Sequence, residues 1–355
     1  MIQGHCETQF DAVRDRLRCN LENGEDVGAA LAVTVDGKMV VDLWGGFTDA
    51  NRRVPWGADT LVLVMSVTKA LTGICGNICI ERGLLDPNRP VADYWPEFAA
   101  NGKGRILVRH LFFHQAGLPE MPVPFAEWGD WEKVCATLAE MAPLWEPGAG
   151  HAYHPFSYGW LVGELIRRVS GHRPNAFLQE EVCARLRVEA WIGAPPAIDD
   201  RLAEVIPSEW GTVMDRRAEV PAANGFSNAR AIARILGVLA CGGEQDGIRL
   251  LDRQTIKDAI STSVTGPWTG PDDGGIFAGI RFARGFQLNC DVLYMGPNPR
   301  SFGHSGGGGA LTWADPERRV SFAYTPNRFE MRNEDMYKRA NALSRTVIDC
   351  LADAA

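Results

Sequence analysis

What the chain lacks is informative. No stretch of ~20 residues is continuously apolar, so no bilayer-spanning helix and no membrane partner is expected. The opening MIQGHCETQFDAVRDRL has no basic segment leading into an apolar one. A secretory signal is therefore not expected, and a cytoplasmic location is. Basic residues are the minority: 36 Lys and Arg stand against 44 Asp and Glu, a formal charge of −8, with no clustered basic stripe. That pattern argues against a nucleic-acid partner. None of the nine cysteines (6, 19, 75, 79, 135, 183, 241, 290, 350) forms C-x-x-C. An odd count without paired spacing excludes a disulfide framework or a zinc ribbon, and thiols one turn apart in an apolar run, as at 75 and 79, suit a reduced protein. No repeat and no low-complexity tract is present.

What is there is enough for a large core: 355 residues, 46% of them hydrophobic. Residues 7–21 have helical period, with apolar Phe10, Val13 and Leu17. Residues 29–47 read as two strands around Asp36-Gly37, a hairpin signal. Helices are expected at 66–82, 105–113, 128–141, 157–170, 174–185 and 228–241, separated by Pro- and Gly-rich loops. Residues 302–315 and 320–329, joined by a turn at 316–318, read as adjacent antiparallel strands, followed by a last helix at about 333–353. Strands at both ends around a helical middle predict an α/β fold, an antiparallel sheet flanked by N- and C-terminal helices with a large all-helical region inserted. The expected division is 1–65 plus 262–355 for the sheet part and 66–261 for the helical part, with an active site in the cleft between them.

The segment 61–85 is nearly all apolar, and Ser66 and Lys69 stand out near the start of its helix. Residues three apart share a helix face with Cβ atoms ~5–6 Å apart, so the amine can reach the hydroxyl. Apolar surroundings lower a lysine's pKa by disfavouring its charged form, which lets it accept a serine proton. The Ser66 N–H, at a helix start, can face a developing oxyanion. An N-cap serine beside a snorkelling surface lysine is the bland alternative. Against it, S-x-x-K occurs once in the chain and opens a helix too apolar for a surface position. Tyr153, in the lead-in to the helix that begins near Ser157, can point a hydroxyl into a cleft. On its own a packing tyrosine is the commoner case.

Taken together these residues resemble the serine β-lactamase-like superfamily, which includes class C β-lactamases, penicillin-binding DD-peptidases and, most similar in its motifs, the family VIII carboxylesterases. Ser66 and Lys69 match its S-x-x-K, and Tyr153 matches the tyrosine of its Y-x-N. VRHLFFHQAGLP (108–119) is similar to its HLLxHxSGLP stretch, and NGFSNARAIARIL (224–236) to a further helix-opening segment. FGHSGGGGALTWADP (302–316) falls where the family carries K-T-G. The resemblance implies catalytic Ser66, Lys69 and Tyr153, with the amides of Ser66 and Gly307 as oxyanion donors and no cofactor. His304, Ser305 and Gly306 would then bind substrate, with His154, Phe125, Trp128 and Phe156 as pocket candidates. Two departures matter. The K-T-G lysine is replaced by His304, largely neutral at pH 7, and the Y-x-N asparagine by Pro155. Both losses remove groups suited to acylamido-carboxylate substrates, so a small-molecule ester is the expected substrate and β-lactams a secondary one.

Other readings are weaker. Gly303-His304-Ser305-Gly306-Gly307 satisfies G-x-S-x-G, but that elbow needs a helix after the serine and a later histidine. All seven histidines (5, 110, 114, 151, 154, 172, 304) precede Ser305. His110 and His114 lie at i, i+4 without the adjoining glutamate of a zinc helix, so no metal is expected. A sensor that acylates without turnover, a β-lactamase or DD-peptidase, and an acyltransferase using the same acyl-enzyme remain alternatives. The tryptophans at 128, 131, 145, 210 and 268 are read mainly as core.

Overall fold

The computed structural model describes residues 2–210, 214–261, 264, 267–270, 274–332 and 335–352. The side chain of Trp210 and positions 333, 334 and 353 of the expected last helix lie outside the described residues. Among the described residues, eight strands form one antiparallel sheet. Its order is β1 (Ile2–Cys6), β3 (Lys38–Gly46), β2 (Gly28–Val35), β13 (Val320–Pro326), β12 (Leu311–Asp315), β11 (Phe302–Ser305), β10 (Phe286–Leu288), β9 (Arg281–Ala283). Two small sheets lie outside it: β4 (Val62–Leu63), β6 (Gly225–Ser227) and β5 (Ala190–Ile192), and the hairpin of β7 (Glu244–Gln245) and β8 (Ile248–Arg249). The helices are α1 (Asp11–Glu22), α2 (Thr68–Glu81), α3 (Val108–Phe112), α4 (Trp131–Glu140), α5 (Ser157–Ser170), α6 (Pro174–Leu178), α7 (Ala184–Leu186), α8 (Ala229–Ala240), α9 (Arg253–Ser261) and α10 (Lys338–Ala352).

The Asp36-Gly37 turn forms as expected, both residues at positive φ (49° and 78°), the type I′ geometry that matches strand twist. Strand alternation then sorts β2 between two cores. Ala30 and Ala32 face the side that carries α8, while Ala29, Leu31 and Val33 pack with residues of α1 and α10 on the other. α2 is a core helix: its twelve residues from Thr68 to Cys79 are all buried, and it packs on α5. Asn228 caps α8 through its side chain, which accepts from Ala231 N at 2.8 Å, and Asp130 caps α4 from Lys133 N at 3.1 Å.

Several expectations need correction. The stretch 302–315 is two strands, because Gly306–Gly309 turn the chain, with Gly308 and Gly309 at φ 88° and 112°. The helix expected at 105–113 is only α3, since Leu107 is extended and the preceding residues form a separate 3₁₀ turn. The helix at 174–185 is interrupted by a π turn at Gln179–Cys183. β1, β4 to β10 and α9 went unanticipated: the strands are each five residues or fewer, too short for alternation to register, and β5 to β8 make the inserted stretch 66–261 mainly rather than wholly helical.

Candidate active site

The site is built where α2 begins. A 3₁₀ turn, Met65–Val67, precedes the helix, and Met65 sits at φ 48°, a left-handed conformation that costs a non-glycine residue on the order of 1 kcal/mol. Thr68 holds this corner: its hydroxyl donates to Met65 O at 2.5 Å and accepts from Gly225 N at 2.8 Å. Ser66 is thereby presented, half-buried, at the head of an otherwise buried helix.

Lys69 lies beneath it, 1% exposed. Its ammonium nitrogen is 3.1 Å from Ser66 Oγ and donates to the backbone oxygens of Pro155 at 2.6 Å and Ala222 at 2.8 Å. None of these partners carries charge. Burial without a counter-charge pushes the lysine pKa well below its ordinary value of 10.5. The Nζ atom also lies 4.8 Å from the Tyr153 ring centroid.

Tyr153 completes the group. It is 6% exposed and stacks between Phe277 and Phe282, with ring centroids 4.8 and 5.6 Å away. Its hydroxyl bonds to Ser66, yet burial outweighs that contact and drives the phenol pKa strongly upward, so it stays protonated. His114 grips the backbone on both sides of it: Ala152 N donates to His114 O at 3.2 Å, and His154 N to His114 Nδ1 at 3.1 Å. This role of His114 went unread in the sequence, where its signals were the i, i+4 spacing to His110 and a place in the 108–119 stretch.

Strand β11 supplies the opposite wall. Gly306 approaches the turn so closely that a Cβ there would lie 2.3 Å from Val64 O. Only glycine permits the approach. The amides of Ser66 and Gly307 make no hydrogen bond within the protein among the described residues, so both are free to donate to a bound oxyanion.

Two of the expected substrate contacts are corrected. His154 is fully buried, with Nε2 accepting from Leu118 N at 3.1 Å and Nδ1 on Ala152 O at 2.6 Å, so neither ring nitrogen is left for a ligand. Ser305 gives both its amide (2.7 Å) and hydroxyl (2.9 Å) to Gln287 Oε1, which fixes β11 to β10. His304 is buried at 2% exposure, its Nδ1 2.7 Å from Ser305 O. Phe125, Trp128 and Phe156 form one cluster, with centroids 4.2 to 6.0 Å apart. Of these Phe125 is 41% exposed and Phe156 half-buried, while Trp128 is buried with its indole on Val123 O. Among the described residues no group of three or more His, Cys, Asp or Glu is placed to hold a metal.

The neutral histidines set an acid limit. Burial pushes His154 down to about 4 and His304 to about 3 from 6.5. Between those values the unfolded chain binds more protons, so stability must fall as pH drops below about 6.5. By pH 4.5 the loss should reach roughly 2–3 kcal/mol per histidine. Denaturant midpoints measured from pH 7 to 4.5 should decline, and His304→Gln should flatten the slope. A flat wild-type profile would refute the burial of these rings in neutral form.

A serine touching a lysine at the head of a buried helix, with a tyrosine beside them and a glycine-rich strand opposite, defines a serine hydrolase. The Beta-lactamase family matches residues 13–345, and the chain belongs to that family. It is 34% identical over 339 residues to the Esterase/beta-lactamase LipL of Mycobacterium tuberculosis, covering 85% of this chain and 77% of that protein. Its structure is similar to that of a family VIII carboxylesterase, with TM-score 0.89, 35% identity, and 99% and 100% of the two chains covered. It is also similar to a penicillin-binding protein homolog from Caulobacter crescentus, with TM-score 0.87, 36% identity and the same coverage.

Proposed function

We propose that this protein is a carboxylesterase that cleaves small esters through an acyl-enzyme on Ser66. One observation carries the reading. Two of the Lys69 N–H bonds are committed to carbonyl oxygens, which can only accept, so a neutral Lys69 turns its lone pair toward Ser66 Oγ. Ser66 Oγ attacks the ester carbonyl carbon as its proton passes to Lys69, and the oxyanion is held by the amides of Ser66 and Gly307. On collapse the carbon–alkoxide bond breaks, Tyr153 gives its proton to the departing oxygen, and Lys69 returns one to the phenolate. Water then attacks the acyl-enzyme with Lys69 as base, and the released Ser66 oxygen takes the proton back. Because the two groups share one proton, their titrations belong to the pair.

Tyr153→Phe should lower kcat by roughly 10²–10³ with KM changed little, since only proton donation to the leaving group is lost. The loss should shrink for esters of acidic phenols, which leave without protonation. An equal loss for alkyl and nitrophenyl esters would contradict the assignment.

Esters are favoured over β-lactams by His304, a neutral ring where a fixed cation would serve a carboxylate, and by Pro155, which has no side-chain donor. The Phe125, Trp128 and Phe156 cluster, next to the Pro155 carbonyl that holds Lys69, is the proposed apolar wall of the substrate site. In this reading the part formed by 66–261 carries Ser66, Lys69 and Tyr153, the part formed by 1–65 and 262–355 carries Gly307, and substrate enters between them. A cytoplasmic location belongs to the same proposal; the thiols of Cys6, Cys19, Cys75, Cys79, Cys135, Cys183, Cys241 and Cys290 are free, and no described helix is long and apolar enough to cross a membrane. Intact-mass measurement after mixing with short-chain esters and with β-lactams, in parallel, tests the reading. A transient acyl adduct with esters that exceeds any β-lactam adduct is expected. A stable β-lactam adduct with no ester turnover would make the protein a penicillin-recognising one instead.

A further inference from the structure

The Gly307 amide can stabilise an oxyanion only if its peptide plane is aimed at the site, and glycine is the residue least able to hold a plane by itself. Something outside the glycines must do so. The turn is closed by Gly306 N donating to Ala310 O at 2.8 Å and by Gly309 N donating to Gly306 O at 3.1 Å. The second bond is the informative one. Gly306 C=O and Gly307 N–H belong to the same peptide unit and point in opposite directions. Fixing the carbonyl on Gly309 N therefore fixes where the Gly307 N–H points.

Gly309 N–H in turn shares its peptide unit with Gly308 C=O. That oxygen accepts from Arg339 Nη2 at 3.1 Å and from Glu330 N at 3.1 Å. The same guanidinium lies against Gly309, where a Cβ would come within 3.1 Å of it. Arg339 is itself over-determined. Its Nη2 also donates to Arg328 O at 2.8 Å, and its Nη1 to Glu25 O at 2.7 Å and to the carboxylate of Asp26. Asp26 is wholly buried and accepts from the Tyr324 hydroxyl at 2.7 and 2.8 Å. Asp26 precedes β2, Arg339 opens α10, and the glycine turn joins β11 to β12. The ion pair thus ties both ends of the chain to the turn.

Resting on the reading of Gly307 as an oxyanion donor, we propose that Arg339, anchored by Asp26, is a positioning residue for the oxyanion hole. It acts through two peptide units: Arg339 holds Gly308 C=O, which sets Gly309 N–H, which sets Gly306 C=O and with it Gly307 N–H. A buried ion pair serving stability alone would have no need of the Gly308 carbonyl; hydrophobic residues of similar volume often serve as well or better. The planar fork of arginine suits the task because it reaches a carboxylate with one arm and a carbonyl with the other.

The test is infrared difference spectroscopy of the acyl-enzyme formed by the full chain with p-nitrophenyl trimethylacetate labelled with ¹³C at the carbonyl. Wild type is compared with Arg339→Lys and with the double variant Asp26→Asn/Arg339→Met. Lysine keeps a cation for Asp26 but cannot span both partners, and the double variant leaves no lone buried charge. In both variants the acyl carbonyl band should move to higher wavenumber, as polarisation by Gly307 weakens. kcat should fall roughly 10- to 100-fold while KM changes little. A purely structural role would lower the melting temperature and leave the band where it is, and that result overturns the proposal. If wild type forms no ester-derived adduct at Ser66, the acyl-enzyme reading itself fails and takes this inference with it. An unmoved band on a genuine acyl-enzyme fails the inference alone.

Discussion

Ser66→Ala is expected to remove the ester-derived mass adduct completely and to lower kcat by on the order of 10⁵–10⁶, the loss typical when the nucleophile of a cooperating set is deleted. The variant keeps Lys69, Tyr153 and both amide donors, so a small residual rate from binding and oxyanion stabilisation should survive. The fold should not suffer. Ser66 is half-buried, and the corner it occupies is held by Thr68 through Met65 O and Gly225 N, contacts the substitution leaves alone. A melting temperature close to wild type is therefore expected beside the lost activity. A variant that retained appreciable turnover, with its adduct on another residue, would end the assignment of Ser66 as nucleophile. The fallback reading of Gly303–Gly307 as a nucleophile elbow would not be revived, because Ser305 is buried with its hydroxyl on Gln287.

The parts of this site that could be read from the sequence share a physical signature. Ser66 and Lys69 interrupt an apolar run at helical spacing, so burial itself marks them, and the helix brings them within 3.1 Å without help from distant chain. The hairpin at Asp36-Gly37 was legible for the same local reason. His154 and Ser305 were misread because adjacency to a functional residue does not reveal whether a side chain's polar atoms are already taken. Both turned out to be satisfied by neighbours: Leu118 and Ala152 in one case, Gln287 in the other. Asp26 and Arg339 carried no signal at all. They are 313 residues apart, and an acidic residue in a loop and a basic one on a helix are each unremarkable until the fold joins them.

On the proposed reading, selectivity among acyl compounds follows from what surrounds these groups. In the proposed cycle the groups that handle the acyl carbon, Ser66 Oγ, Lys69 Nζ and the two amides, do not depend on what else the substrate carries. Position 304 does. A lysine there would keep its charge near neutral pH, whereas His304, pushed down to about 3, offers no cation near neutral pH. An ester needs neither a cation nor an amide partner. On the proposed reading, the departures at 155 and 304 therefore subtract recognition of one substrate class without touching bond cleavage.

Lys69→Ala tests the proton pathway most severely. The variant should lose roughly 10⁴ in kcat, the upper range for general acid–base catalysis, because in the proposed cycle the same amine serves acylation, reprotonation of Tyr153 and deacylation. Wild-type kcat/KM should rise with pH through an apparent pKa well below 10.5, since burial disfavours the ammonium and only the neutral amine can accept the Ser66 proton. In the variant that limb should vanish, leaving a low rate that climbs with hydroxide. Stability is a separate matter: truncation removes the cost of burying an amine but strands the Pro155 and Ala222 carbonyls, so the two effects oppose. Exogenous ethylamine separates chemistry from packing. It can enter the vacated space, donate to the same two carbonyls and turn its lone pair to Ser66, and it should restore part of kcat in proportion to its unprotonated fraction. Rescue that tracked total ethylamine rather than the free base would mean that Lys69 supplies only shape and charge, and Tyr153 would have to be the base despite a pKa that burial drives the wrong way for that role.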